Sequence, residues 1–274
     1  MIGQSQIDNK LKIADFMTAN PITIQTVARF PEATAIMASK GIGNLVVTEN
    51  NNKSVVGLIT EREILQYLSM NREIPDKEIS FVITQPFTKV TPQETIYAAA
   101  RAMISNKTRL LVFDSHDDND KDRPNKLVGI ITASDIVRAF RTTDRNPPVE
   151  DVMSTKIFDI PYENSIFAAV RILYERRVGS VIVIKDNKPY GIFTERDLLT
   201  KVISKGLQLS ERVGDFCSTP LITAQHGIRA NEAANIMFIN NMKRLPLAQD
   251  GEVTSIVTAR DLVDAFQKEE ESAS

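Results

Sequence analysis

One short segment recurs four times along this chain, and that recurrence decides what it can fold into. Gly57-Leu-Ile-Thr-Glu-Arg-Glu63, Gly129-Ile-Ile-Thr-Ala-Ser-Asp135, Gly191-Ile-Phe-Thr-Glu-Arg-Asp197 and Ser255-Ile-Val-Thr-Ala-Arg-Asp261 each carry an apolar stretch into a threonine followed three residues later by a carboxylate. The threonines at 60, 132, 194 and 258 lie 72, 62 and 64 residues apart, and a polar insertion from Asp114 to Lys126 accounts for the long first interval. Ahead of every anchor stand the same elements in the same order. Pro21-Ile-Thr-Ile, Pro86-Phe-Thr-Lys-Val, Ile157-Phe-Asp-Ile and Pro220-Leu-Ile-Thr read as opening strands. Helices are predicted from Glu32, from Glu94 to about Asn106, from Ser165 to about Arg176 and from Asn231 to about Asn241. The apolar runs at Leu45, Leu110, Val181 and Leu245 follow. After each anchor comes an amphipathic helix, as in Asp197-Leu-Leu-Thr-Lys-Val-Ile, so the unit is strand, helix, strand, strand, helix.

A unit of ~60 residues is marginal by itself, and pairing is the natural remedy. The least structured internal stretch, Thr142-Thr-Asp-Arg-Asn-Pro-Pro148, falls between repeats two and three and divides the chain into halves. The boundaries follow: repeat one 12–72, repeat two 78–141, linker 142–148, repeat three 149–208, repeat four 211–268, and an acidic tail 269–274 expected to fray. With 42% hydrophobic residues among 274, real cores are expected and extensive disorder is excluded.

The four Gly-apolar-apolar-Thr-x-x-Asp anchors, each opened by a Pro-apolar-Thr-like strand, resemble CBS domains, the cystathionine-β-synthase repeat, over about residues 12 to 268. The resemblance implies an α/β (α+β) fold in which each repeat is a small three-stranded sheet with two helices. It further implies pairing into two Bateman modules, repeat one with two and three with four, each with two clefts. The arrangement is similar to four-repeat prokaryotic CBS proteins and to the gamma subunit of AMP-activated protein kinase. In that family the clefts take AMP, ADP or ATP, or S-adenosylmethionine and other adenosine derivatives, and no further cofactor is implied.

The residues offer two readings of the anchor. An aspartate is a charged acceptor suited to the vicinal hydroxyls of a ribose. The threonine beside it can contact ribose or phosphate. The pairs Thr60 and Glu63, Thr132 and Asp135, Thr194 and Asp197, and Thr258 and Asp261 carry this reading. The same spacing is also a capping box that satisfies the helix N-terminus without any ligand. A reciprocal box prefers the longer Glu or Gln, whereas three copies carry Asp. Arg62, Arg196 and Arg260 stand in the first helical turn, where their own helix dipole disfavours a cation by ~0.3–1 kcal/mol. A phosphate held there would explain them, and a nearby surface carboxylate is the plainer account.

Just before the middle strand of the unit, Lys243 and Arg244 resemble the family's phosphate-contacting segment and Arg109 matches it in part. Gly43-Asn44 and Gly179-Ser180 hold the equivalent places, where glycine suits either a close ligand or a tight turn. The resemblance adds Ile22, Thr23, Thr88, Ile157, Ile222 and Thr223 as residues lying against adenine, the apolar ones being equally suited to the core. Repeat two lacks the arginine (Ser134), repeat one has Glu63 for Asp, and repeat four has Ser255 for the anchor glycine. The strongest site is therefore expected in the second module, at Thr194, Arg196, Asp197, Thr258, Arg260, Asp261 and Arg244.

Other classes fare worse. Thirty-three basic against 35 acidic residues leave a net charge of −2 and no basic stripe for nucleic acid. Cys217 is the single cysteine, which excludes an internal disulfide and a multi-thiolate zinc site and fits a cytoplasmic setting. Met1 to Lys10 is polar, and no run of ~18 apolar residues suggests a membrane span. His116 and His226 have no spaced nucleophile set, and no phosphate loop is present. The acidic stretch His116 to Asp122 lacks the glycine and terminal glutamate of a calcium hand, so no metal is expected. These observations point to a non-catalytic sensor that forms a homo-oligomer or acts on a separate effector protein. A ligand-free interaction scaffold is the alternative.

Overall fold

A computed structural model describes residues 11–49, 54–83, 87–106, 109–114 and 125–272. The first described elements are a helical turn, α1 (Ile13–Phe16), and a short strand, β1 (Thr18–Ala19). Repeat one follows as β2 (Thr23–Gln25), α2 (Phe30–Lys40), β3 (Asn44–Glu49), β4 (Ser54–Thr60) and α3 (Glu61–Asn71). Repeat two has β5 (Thr88–Val90), α4 (Ile96–Asn106), β6 (Leu110–Phe113), β7 (Leu127–Ile131) and α5 (Ala133–Phe140). Repeat three has β8 (Asp159–Pro161), α6 (Ile166–Glu175), β9 (Ser180–Lys185), β10 (Lys188–Thr194) and α7, which begins at Glu195–Asp197. Repeat four has β11 (Ala224–Gln225), α8 (Ala230–Ile239), β12 (Arg244–Gln249), β13 (Glu252–Thr258) and α9 (Ala259–Ser272). In every repeat the opening strand runs parallel to the middle one, which pairs antiparallel with the anchor strand, and each of these hairpins carries one register shift.

Local sequence explains most of the boundaries. The first helix of repeat two, expected from Glu94, starts at Ile96, because Glu94 accepts the Thr91 backbone N–H at 2.5 Å and Thr95 caps Ala98 at 3.2 Å. Ser165, expected inside a helix, is its N-cap, accepting from the Ala168 N–H at 3.2 Å. Tight hairpin turns at Asp186-Asn187 (φ 51° and 59°) and Asp250-Gly251 (φ 53° and 83°) use residues that tolerate the left-handed region. Two expectations fail. The amphipathic helix after Asp197 is not α-helical throughout: α7 continues as a π turn over Leu198–Val202 and a 3-10 turn over Ile203–Lys205. The last helix does not fray at residue 268 but runs to Ser272.

The described residues form two compact units. One contains the segments up to Pro21, Pro86–Lys156 and from Thr223 onward, and the other contains Ile22–Gln85 and Ile157–Ile222. Helix packing makes this grouping, joining repeat one to three and repeat two to four. In the first unit α9 packs on α4 and α5, with Phe140 stacked on Phe266 at 4.3 Å and beside Tyr97 at 5.2 Å. In the second, α3 packs on α6 while α2 meets the turns at 198–205.

A further device, one that sequence reading passed over, operates inside each unit. The segment leading into each repeat docks on a different repeat. Ahead of repeat one, β1 joins the sheet of repeat two, with Thr18 opposite Ile130 and Ala19 opposite Gly129. Ahead of repeat two, the Ile79 and Ser80 N–H groups donate to Ala28 and Thr26 of repeat one. Ser154 bridges to Ile256 of repeat four, and Ser218 bridges to Ile192 of repeat three. Each lead-in buries one apolar residue completely: Ile13, Ile79, Val149 and Val213 are all 0% exposed. The stretch 142–148, expected as a loose linker, belongs to this system. Asn146 accepts from Arg229 and Asn231, and the Pro147 carbonyl accepts from the Ala230 N–H.

The anchor glycines serve the crossing of these lead-ins. A Cβ at Gly191 would lie 2.7 Å from both Cys217 Sγ and the Ser218 carbonyl oxygen, and one at Gly129 would lie 2.5 Å from Met17 Sδ. Gly191→Ala is therefore expected to destabilise the protein by about 1–3 kcal/mol, seen as a lower urea midpoint with an unchanged slope.

Candidate functional site

Each anchor threonine sits where strand backbone turns into helix, and all four junctions close in the same way. The Thr60 N–H donates to Glu63 Oε2 at 2.7 Å, and the Thr132, Thr194 and Thr258 N–H groups donate to Oδ2 of Asp135, Asp197 and Asp261 at 2.9, 2.9 and 2.8 Å. The hydroxyls of Thr60, Thr132 and Thr194 reach the same carboxylate oxygens at 2.5, 2.7 and 2.6 Å. Return contacts run from the Asp197 and Asp261 N–H groups to the threonine Oγ1 at 3.1 and 3.3 Å. The boxes are reciprocal with Asp as well as Glu, so the shortness of aspartate gives no argument against capping.

The arginines too have partners within the protein. Arg62 donates to the Leu173 and Tyr174 carbonyls, both at 3.1 Å, at the C-terminal end of α6 in the facing repeat. Arg260 donates to the Met103 carbonyl of α4 at 2.9 Å. A guanidinium that is badly placed for its own helix dipole is thus well placed for the negative end of the facing helix. In the unit of repeats one and three the charges are balanced further, because Arg62 meets Glu195 at 3.8 Å and Arg196 meets Glu61 at 3.7 Å. Gly43 makes room for this exchange, since a Cβ there would lie 2.9 Å from the Glu61 carboxylate. A phosphate is not needed to account for these side chains.

The unit of repeats two and four differs at those positions. Ala133 and Ala259 stand where Glu61 and Glu195 stand in the other unit. Arg260 is held below its usual pKa by burial and then by the positive charge of Arg109, with Asp261 and Asp264 opposing the shift. The positive charge of Arg109, from the facing repeat, is thus felt at Arg260, the residue before Asp261. Burial in turn raises the Asp261 carboxyl above the ordinary carboxylate range.

The four carboxylates also differ in what their second oxygen does. Asp197 Oδ1 takes Lys201 Nζ at 2.7 Å and Ser218 Oγ at 2.8 Å, and Asp135 Oδ1 takes Arg138 at 3.3 Å. Among the described residues no group donates to Asp261 Oδ1. Lys201 and Ser218 were absent from the sequence reading; the lysine four residues beyond Asp197 was the available signal.

The remaining candidates lie around these junctions. Thr88 takes a hydrogen bond from Asn106 at 3.2 Å, and its N–H donates to the Arg109 carbonyl. Lys243 and Gly179 offer their carbonyls to the N–H groups of Ala259 and Glu195, Arg244 pairs with Thr258, and Ser180 pairs with Thr194. Thr23 opens β2 opposite Val46, whereas Ile157, Ile222 and Thr223 precede their strands instead of lying in them. Ile22 and Ile222 are 39% and 38% exposed, unlike core residues, and Ile157 is half-buried. His226, for which the sequence offers no spaced nucleophile set, meets the Thr254 hydroxyl at 2.6 Å and the Ser255 hydroxyl at 3.0 Å, but Ser255 is fully buried. The stretch His116 to Asp122 lies outside the described residues. Among the described residues no helix is long and apolar enough to cross a membrane.

Four junctions of this kind, on four copies of one small sheet with two helices, define a tandem-repeat fold. The CBS domain family matches residues 13–70, 77–142, 149–204 and 213–268, and the chain belongs to that family. The uncharacterized protein MJ1225 of Methanocaldococcus jannaschii is 27% identical over 191 residues, covering 64% of this chain and 66% of that one. MK0525 of Methanopyrus kandleri is 39% identical over 101 residues, or 35% of this chain and 52% of that one. The chain thus spans about half to two thirds of the length of these curated relatives. In three dimensions it is similar to the crystal structure of MJ1225, described as a suggested archaeal homolog of g-AMPK, with a TM-score of 0.74, 17% identity, and coverage of 93% of this chain and 100% of that one. A Pyrococcus horikoshii protein gives a TM-score of 0.64 at 21% identity over 93% and 100%.

The helix-end role of Arg62 is measurable. Arg62→Ala removes two charge-assisted hydrogen bonds from a side chain that is 36% exposed, and a loss of about 1–2 kcal/mol in urea unfolding is expected without any ligand present.

Proposed function

We propose that the protein is a non-catalytic sensor that binds an adenosine nucleotide, AMP, ADP or ATP, and signals by a conformational change to a separate effector protein. The observation that carries this reading is Asp261: a half-buried, ionisable carboxylate with one oxygen committed to its cap and the other without a donor among the described residues. A vicinal diol supplies the two hydroxyl donors that such an oxygen lacks. Arg260 precedes it and feels the charge of Arg109, and Ala133 and Ala259 stand in that unit where Glu61 and Glu195 meet the arginines of the other. The nucleotide phosphates go to this side. Thr258, Lys243 and Arg244 complete the repeat-four end of the site, and Thr88, Thr132 and Asp135 belong to the repeat-two end. S-adenosylmethionine or another adenosine derivative satisfies the same carboxylate, and the choice among these ligands rests on the arginines. The cytoplasm and a homo-oligomer are the setting that we assign to such a sensor.

A ligand-free scaffold is the second reading. It is favoured by the completeness of the caps and by the helix-end partners of Arg62 and Arg260.

Calorimetric titration of the full chain with AMP, ADP, ATP and S-adenosylmethionine separates the two. The sensor binds at least one of them, and Asp261→Ala weakens that binding ~10–100-fold through the loss of charge-assisted hydrogen bonds. A scaffold binds none. The raised pKa of Asp261 gives a second check. Diol recognition needs the ionised carboxylate, so adenosine affinity is expected to fall as pH drops through that raised value, and Asp261→Asn is expected to be weak and flat across the same range.

A further inference from the structure

Asp197 occupies the same place in repeat three that Asp261 occupies in repeat four, yet its second oxygen is already taken. Lys201 Nζ lies 2.7 Å from Asp197 Oδ1, Ser218 Oγ donates to that oxygen at 2.8 Å, and Lys201 Nζ reaches Ser218 Oγ at 2.9 Å. The three groups close a triangle around a carboxylate that is only 5% exposed. Two different parts of the chain supply it: Lys201 from the π turn of α7, and Ser218 from the lead-in that docks on β10. A side chain four residues further along a helix leans back toward the N-terminal turn, which returns the lysine to the carboxylate. The corresponding residues of the other repeats are Tyr67, Ala139 and Ala265, none of which brings a cation there.

We propose that Lys201 determines which of these carboxylates accepts a ribose, and that it closes repeat three to nucleosides while repeat four stays open. The inference rests on the reading that ribose diols are bound at these carboxylates. A diol would have to replace an ammonium and a hydroxyl that already satisfy Asp197 Oδ1. Two neutral hydroxyl donors cannot match a charge-assisted contact on a buried anion, and a displaced ammonium would leave that anion unpaired. At Asp261 Oδ1 the same ligand displaces no protein donor among the described residues. The site expected from sequence at Thr194, Arg196 and Asp197 is therefore silent in the resting protein because of a residue that the repeat pattern does not include.

Native mass spectrometry of the full-length protein with AMP, backed by calorimetry, tests this. Lys201→Met is expected to bind one more AMP per chain than wild type, and the double variant Lys201→Met with Asp197→Asn is expected to return to the wild-type number. Lys201→Gln, which keeps a polar group beside Ser218, serves if the methionine variant does not fold, and the same gain is expected. Equal numbers for wild type and the folded lysine variants, with AMP bound, overturn the role of Lys201 and leave the sensor reading intact. A gain that persists in the double variant also overturns it, because the added molecule then sits elsewhere. No AMP on any variant overturns both this inference and the reading beneath it.

Discussion

Everything in this fold depends on the hydrogen bonds that a threonine and a carboxylate exchange at each strand-to-helix junction. At Thr194, for example, one aspartate oxygen takes both the backbone N–H and the hydroxyl, at 2.9 and 2.6 Å, which fixes the angle at which the helix leaves the sheet. That angle aims the next side chains at the facing repeat. Arg62 reaches the end of α6 and Arg260 reaches α4 only because their helices depart in that direction. The helix layers then bury Phe140 against Phe266 in one unit and α3 against α6 in the other.

The cap does not compete with ligand binding, because it uses one carboxylate oxygen and leaves the second to be assigned by the surroundings. Four nearly identical motifs thereby acquire four different chemistries. Asp135 meets Arg138, Asp197 meets Lys201 and Ser218, and Glu63 adds a methylene. Asp261 alone of the three aspartates has an Oδ1 without a donor among the described residues. Charge divides along the same lines: glutamates at 61 and 195 meet the arginines of one unit, and alanines stand at the corresponding positions 133 and 259 of the other.

The repeat, its element order and the anchor residues were legible in the sequence, because each depends on local periodicity and on a motif copied four times. The lead-in exchange was not, since a residue such as Ile13 or Val213 shows only that something buries it and not which repeat does so. The helix-end partners of the arginines were hidden for the same reason. A cation in a first helical turn looks unsatisfied until the facing helix end is known, and that neighbour lies 111 residues away in the case of Arg62 and Leu173. The π turn after Asp197 was hidden because its apolar spacing suits an ordinary helix.

The exchanged lead-ins also decide where this protein can be dissected. A single repeat cut out alone loses the segment that covers it and carries away a segment that covers another, so no repeat is a self-sufficient fragment. A cut near Asp144 respects every exchange, since residues 146–154 stay with repeat four while 11–19 stay with repeat two. The same cut parts the faces on which Phe140 meets Phe266 and α3 meets α6. Each half released there would expose a broad apolar surface and associate through it, so that splitting the chain trades intramolecular packing for dimerisation.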